Sequence, residues 1–297
     1  MVKRGQIRKA LSGFYYVYSD DKTYQTRARG VFRNQDITPL TGDYVEFQAE
    51  NLEEGYILKI EERKNELIRP PIANIDIGVC VCSAVEPDFS SQLLDRFLVS
   101  LEANHMAAII VLTKVDLVEK DKLLEIQEQL DYYESIGYPY LISSENQPWS
   151  EEDQNFFERN IADRTAVFIG QSGAGKSTLL NKLKPDLDLK TAEISLSLGR
   201  GKHTTRHVEL LPLFNGLIAD TPGFSSLDFE TIESEELSDY YPDFLEQSKN
   251  CKFTGCIHRS EPGCGVKMAV KEGRIPQARY DNYLVILDQI EKRKPKY

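Results

Sequence analysis

No run of about twenty apolar residues occurs in the chain, which excludes a transmembrane helix. The basic opening Met1-Val2-Lys3-Arg4-Gly5-Gln6 has no apolar core behind it, so no secretory signal is expected. Cysteine is scarce and odd in number, five among 297 residues. That argues against a disulfide framework and for a reducing cytoplasm. Net positive charge is missing too: a formal charge of −11 speaks against wholesale coating of nucleic acid. What remains is a globular composition, 41% hydrophobic and 28% charged, in a chain long enough for two or three domains.

The acid is concentrated in the middle. Within the first 33 residues Lys3, Arg4, Arg8, Lys9, Lys22, Arg27, Arg29 and Arg33 face only Asp20 and Asp21. The tail from Lys252 is basic as well and closes with Glu291-Lys292-Arg293-Lys294-Pro295-Lys296. Two basic ends are two candidate footprints for a polyanion, against the plainer reading of solvated charge runs.

Up to about Arg69 the pattern is all-β. Stretches 13–18, 23–31, 42–47 and 55–60 are rich in aromatic and β-branched residues and are parted by Gly and Asp turns. Four or five short strands in that length predict a small barrel of OB type, a fold whose exposed aromatics and arginines commonly contact RNA. Arg69-Pro70-Pro71 marks a boundary. Beyond it strands alternate with helices. Buried strands are expected at 75–82, 107–112 and 138–142, and helices at 90–104 and 120–135. This alternation predicts a mostly parallel sheet with helices on both faces. Cys80 and Cys82 lie in the first of these strands and read as core filling. A last helix runs through Tyr280, Tyr283, Leu284, Leu287 and Ile290.

The stretch Gly170-Gln171-Ser172-Gly173-Ala174-Gly175-Lys176-Ser177-Thr178 matches G-x-x-x-x-G-K-[ST]. Ala166-Val167-Phe168-Ile169 before it reads as a strand, and Leu179, Leu180 and Leu183 after it form one side of a helix. In that setting the loop amides and the helix N-terminus wrap a phosphate chain. Lys176 reaches the β- and γ-phosphates, and the Ser177 hydroxyl binds Mg²⁺. Asp220-Thr221-Pro222-Gly223 supplies D-x-x-G at a strand end about 45 residues downstream. There Asp220 can hold Mg²⁺ through water, and the Gly223 N–H can meet a γ-phosphate. Thr113-Lys114-Val115-Asp116 resembles the guanine reader N-K-x-D, with Thr113 in place of Asn. A single carboxylate accepting the ring N–H and the exocyclic amine excludes adenine, which would leave that charge unpaired. Ser143-Ser144-Glu145 is a candidate backing loop for the base.

The base reader precedes the phosphate loop, the reverse of the order in ordinary GTPases. With TKVD, GQSGAGKST, GRGKHTT and DTPG in that order, the chain resembles the circularly permuted GTPases of the ribosome small-subunit-dependent family, RsgA. The resemblance covers nearly all of the chain. It implies a multidomain α/β protein: an OB-type barrel over 1–69, a circularly permuted GTPase domain over 70–228 and a helical zinc-binding domain over 229–297. Cys251-x4-Cys256-x-His258-x5-Cys264 places three thiolates and an imidazole within fourteen residues. That is a closed set suited to one structural Zn²⁺, and these are the family's zinc ligands.

Hydrolysis is harder to place. Phe224 stands where a water-positioning Gln often follows D-x-x-G. Thr204 or Thr205 is a candidate ligand for Mg²⁺ and sensor of the γ-phosphate, and the resemblance points to His203 for orienting the water. His207, at a strand start, is the lesser rival, and His105 reads as a helix cap. The implied activity is GTP hydrolysis to GDP, stimulated by the 30S subunit during its late maturation. The implied partners are the 30S subunit and its 16S rRNA, for a monomer away from membranes. Two other readings stay open: an RNA-binding scaffold whose nucleotide site is structural, and an ATP-dependent enzyme, which Asp116 opposes.

Overall fold

The computed structural model describes residues 1–30, 32, 37–68, 71–144, 146, 148–184, 208–224 and 232–293, with the backbone alone given for 220–224. In chain order the strands and helices begin with β1 (Val2–Leu11), β2 (Phe14–Ser19), β3 (Lys22–Ala28), β4 (Tyr44–Ala49) and β5 (Gly55–Ile60). Two short strands, β6 (Glu66–Leu67) and β7 (Ile72–Ala73), lead to β8 (Ile77–Ser83), α1 (Ser91–Ala103), β9 (Ala107–Thr113), α2 (Lys120–Ser135) and β10 (Tyr140–Ile142). Then come α3 (Glu151–Ile161), β11 (Thr165–Ile169), α4 (Lys176–Leu183), β12 (Glu209–Leu213) and β13 (Gly216–Phe224). The chain closes with α5 (Pro242–Ser248), α6 (Gly265–Lys271) and α7 (Gln277–Glu291). It forms two compact units: Met1–Val79 with Pro148–Ser172 and Lys176–Phe224, and Cys80–Gln147 with Gly173–Gly175 and Ser225–Tyr297.

In the first unit the strand order is β11-β13-β12-β1-β2-β3-β5-β4, and β4 pairs back on β1. The last five strands therefore close a barrel, with β3 and β5 parallel and the other pairs antiparallel. Ile7, Val17, Tyr24, Phe32, Val45, Phe47 and Ile57 fill it. The expected strands are all present, but β1 is an addition to them. Only Ile7 among its central residues is apolar, and Lys3, Arg4, Arg8 and Lys9 hide the alternation. Burial along β1 is instead carried by Gly5 and Gln6 beside Ile7, and no Cβ fits at Gly5, where it would lie 2.6 Å from the Tyr18 carbonyl oxygen. The register of β1 shifts between Ile7 and Lys9. Residues 2–6 then pair with β4, while Lys9 pairs with Glu209 of β12. This bulge lets one strand serve the barrel and the adjoining sheet.

β13 pairs antiparallel with β12 and parallel with β11. Asp220-Thr221-Pro222-Gly223 occupies the last part of this strand, just before Phe224, at the strand end where the sequence placed it. The ladder to β12 stops at Asp220, and the ladder to β11 shifts between Val167 and Ile169. Pro222, which has no N–H to give, falls in this irregular part.

In the second unit β10, β9 and β8 lie side by side, with β10 and β9 parallel. Every residue of β8 is buried, Cys80 and Cys82 included. Both cysteines are free thiols, and burial pushes Cys82 up to about 12. Helix α1 is capped by Ser90, whose hydroxyl accepts the Leu93 N–H at 3.2 Å, and by Asn104. His105 is therefore past the cap, in the left-handed region at φ 55°. Helix α1 packs on α7. At their contact Arg279, 3% exposed, holds Asp243 at 3.1 and 3.2 Å and also pairs with Asp95. Tyr133 and Asn282 donate to Asp95 at 2.6 and 2.7 Å, and Tyr132 donates to Asp243 at 2.8 Å.

Candidate nucleotide site and metal centre

Every residue of β11 is buried, and the chain leaves it through Gly170 to enter α4 at Lys176. Gly173 and Gly175 sit at φ 81° and 89°, a conformation that L side chains rarely adopt. Gly175 also needs the space, because a Cβ there would come within 3.3 Å of the Thr113 hydroxyl. The strand, loop and helix around Gly170–Thr178 thus have the form that cradles phosphate. The Lys176 ammonium donates to the carbonyls of Gly170, at 2.6 Å, and Gln171. Its burial pulls its pKa down to about 8. A cation held on loop carbonyls at reduced basicity is ready to transfer to a stronger acceptor such as a phosphate oxygen.

The end of β9 meets the middle of the loop. Thr113 is 7% exposed, and its hydroxyl donates to the Ala174 carbonyl at 2.7 Å. A second contact, to the Cys82 carbonyl, is 3.3 Å. Thr113 therefore ties the end of β9 to the loop through its hydroxyl. Lys114 follows in the left-handed region at φ 56°, and its ammonium bonds the Glu86 carbonyl. This turn starts a short 3-10 segment, Val115–Leu117, which presents Asp116 at the surface. Ser144 donates to Asp116 Oδ1 at 3.3 Å, and Asn146 donates to Oδ2 at 2.9 Å. The structure so brings Thr113, Ala174 and Gly175 together, and Asp116 with Ser144. Ser143 connects to β9 through its N–H, bonded to the Leu112 carbonyl at 2.8 Å.

Asn146 and the Glu86-Pro87 segment have no counterpart in the sequence reading. No motif carries an asparagine at that place, and Lys114 reaches Glu86 from 28 residues away. His203, Thr204, Thr205, His207 and Glu145 lie outside the described residues. Asp220 and Gly223 have their backbone in β13.

Cys251, Cys256, His258 and Cys264 converge, with their ligand atoms all within 4.8 Å of one another. Cys251 and Cys264 sulfurs are 4.0 Å apart, and His258 Nδ1 lies 3.7 and 3.3 Å from them. A tetrahedral zinc with Zn–S of about 2.3 Å and Zn–N of about 2.0 Å would set these edges at about 3.5 to 3.8 Å. The donor set fits that ion. Burial pushes Cys256 up to about 12, helped by the Cys264 and Cys251 thiols, and raises Cys264, helped by Cys251, so a dication is the charge that would hold them as thiolates. Backbone N–H groups of Gly265 and Lys267 point at the Cys251 and Cys264 sulfurs, at 3.2 and 3.4 Å. Tyr280 and Tyr283 of α7 donate to the carbonyls of His258 and Ile257, at 2.7 and 2.8 Å, and tie the cluster to the helical core.

Two family models match the chain. The RsgA GTPase model matches residues 60–230, and the RsgA N-terminal domain model matches 4–57. The chain belongs to the RsgA GTPase family. Among RsgA relatives, the small ribosomal subunit biogenesis GTPase RsgA of Enterococcus faecalis is 56% identical over 294 residues, 99% of this chain and 97% of that protein. The Bacillus subtilis protein of the same name is 55% identical over 299 residues, 99% of each chain. Of solved structures, the circularly permuted GTPase YloQ superposes with a TM-score of 0.83 at 48% identity, covering 100% of this chain and 98% of that one. YjeQ from Thermotoga maritima gives 0.86 at 31% identity, covering 99% and 100%. The expected fold is thereby confirmed: a closed five-stranded barrel, a circularly permuted GTPase fold and a cluster of three cysteines and a histidine. Like other members of the RsgA family, the chain is a GTP-hydrolysing enzyme that uses guanine nucleotide and Mg²⁺.

Proposed function

We propose that this GTPase acts in maturation of the small ribosomal subunit, hydrolysing GTP while docked on the 30S particle and turning over faster there than alone. The observation that supports it most is the 2.7 Å bond from Thr113 to Ala174, which fastens the base-reading strand end to the phosphate loop despite their reversed order in the chain. The relatives' shared name supplies the setting. In this reading Asp116 accepts guanine, with Lys114 along the base and Ser143 and Ser144 behind it. Residues 170–178 wrap the phosphates, and Lys176 neutralises the charge that develops on them. Ser177 and Asp220, with Thr204 or Thr205, hold Mg²⁺, which supplies further charge neutralisation on the phosphate oxygens. Gly223 meets the γ-phosphate, and His203 orients the attacking water.

In this reading the chain divides in three at residues 69 and 228, and the N-terminal barrel has a task of its own. The barrel surface supports contact with 16S rRNA. The Arg8 guanidinium lies 3.5 Å from the Tyr18 ring centre and Arg27 lies 4.6 Å from that of Phe14, while Tyr56 is 55% exposed. Cations and aromatics interleaved in this way suit single-stranded RNA. Part of the basic excess is already paired within the chain: Lys3 with Asp20, Arg4 with Glu61 and Lys9 with Glu209. The protein works as a cytoplasmic monomer, and among the described residues no helix is long and apolar enough to cross a membrane. GTP turnover with and without purified 30S subunits tests the proposal. Stimulation is expected, abolished by His203→Ala, and binding to the subunit should weaken with salt. An unstimulated rate with intact 30S binding would leave an RNA-binding scaffold instead.

A further inference from the structure

Asp116 is not a bare carboxylate waiting for a base. An ionised carboxylate only accepts hydrogen bonds, and its two oxygens offer about four lone-pair positions. Ser144 takes one on Oδ1 and the Asn146 amide takes one on Oδ2, at 2.9 Å. Because the partner is a pure acceptor, the amide must present its NH₂ to it. A side-chain amide thus offers Asp116 the same kind of donor as the exocyclic amine of guanine.

We infer that Asn146 is a specificity-determining residue, setting how strictly the site discriminates at position 2 of the purine. This rests on the reading of Asp116 as the guanine acceptor. A site built around two donors rejects a base that brings one, because an oxygen is left unpaired. Hypoxanthine is such a base: it keeps the ring N–H and lacks the 2-amino group. With Asn146 on Oδ2, loss of the amine does not orphan that oxygen, so the penalty against hypoxanthine is reduced. Adenine gains nothing from Asn146. Its ring nitrogen is itself an acceptor and faces the carboxylate lone pair to lone pair. Asn146 therefore loosens the choice between guanine and hypoxanthine and leaves the choice against adenine to Asp116.

The test compares dissociation constants of guanosine and inosine diphosphates for the full chain and for Asn146→Ala. A hydrogen bond to a charged group predicts that the inosine-to-guanosine ratio rises about tenfold in the variant. An unchanged or lower ratio overturns the inference, since a residue that merely shapes the loop would weaken both ligands together. Asp116→Asn separates the underlying reading. Its amide should turn preference to xanthosine diphosphate, whose 2-carbonyl needs a donor. Failure of that switch removes the guanine assignment and the inference with it. A successful switch with an unmoved ratio in Asn146→Ala removes the inference alone.

Discussion

The Thr113 hydroxyl donates to the Ala174 carbonyl across 2.7 Å, joining residues 61 positions apart in the chain. One belongs to the segment assigned to the base and the other to the loop assigned to the phosphates, so ordering either one helps to order the other. Thr113→Val removes the donor at nearly constant volume and leaves a buried carbonyl unpaired, at about 1 to 3 kcal/mol. Because the loop must then be ordered by the ligand, GDP should bind about tenfold more weakly. Thr113→Ser keeps the hydroxyl and should restore most of the affinity. Titration of a fluorescent GDP analogue reads both, and equal losses in the two variants would refute the clamp.

Nucleotide binding should be linked to proton uptake at Lys176. Burial holds Lys176 at about 8, and a phosphate chain would raise it again. With the free-state value depressed and the bound-state value higher, affinity is greatest below about pH 8 and declines as pH rises through the gap. Binding at pH 8 should take up about half a proton, and more above it. Calorimetry in two buffers of different ionisation enthalpy measures the uptake. Lys176→Met should abolish it, and an uptake that survives this change assigns the proton elsewhere.

What the sequence made visible follows from how local each requirement is. The phosphate loop is legible because its glycines answer positive φ angles and its lysine sits at a helix start, all within nine residues. The metal cluster is legible for the same reason, its four ligands lying within fourteen. Strand β1 was hidden because its burial falls on Gly5, Gln6 and a single isoleucine, with a bulge breaking the alternation. The contact of Arg279 with Asp95 spans 184 positions, and nothing near either residue announces the other. Asn146 was missed because an asparagine in a turn is ordinarily read as turn chemistry, and only its partner, Asp116, gives it another meaning.

Zinc should be present at one ion per chain and should hold the C-terminal helices together. Cys264 caps α6 with its sulfur and lies in the same buried cluster as Phe244, Val266, Tyr283 and Leu287. Cys264→Ser, or prolonged chelation, is expected to release the metal and loosen this cluster. Elemental analysis gives the stoichiometry, and hydrogen exchange in α5, α6 and α7 gives the structural effect. Retained zinc with unchanged protection in Cys264→Ser would show that the ion is not held by this set.

The Arg279 network makes the sharpest statement about stability. Asp95 and Asp243 have side chains 0% and 4% exposed, and Arg279 pairs with both. Arg279→Met keeps much of the volume but strands two buried carboxylates, a loss of about 3 to 5 kcal/mol. The loss should appear locally, as exchange at least a hundredfold faster in α1 and α7. Adding Asp95→Asn removes one of the stranded charges while Tyr133 and Asn282 keep a partner nearby, so the double variant should regain part of the protection. Asp95→Asn on its own leaves Arg279 with one carboxylate and should cost stability, so its sign reverses with the background. If Asp95→Asn destabilises equally in both backgrounds, the pair is uncoupled and packing alone holds α1 to α7.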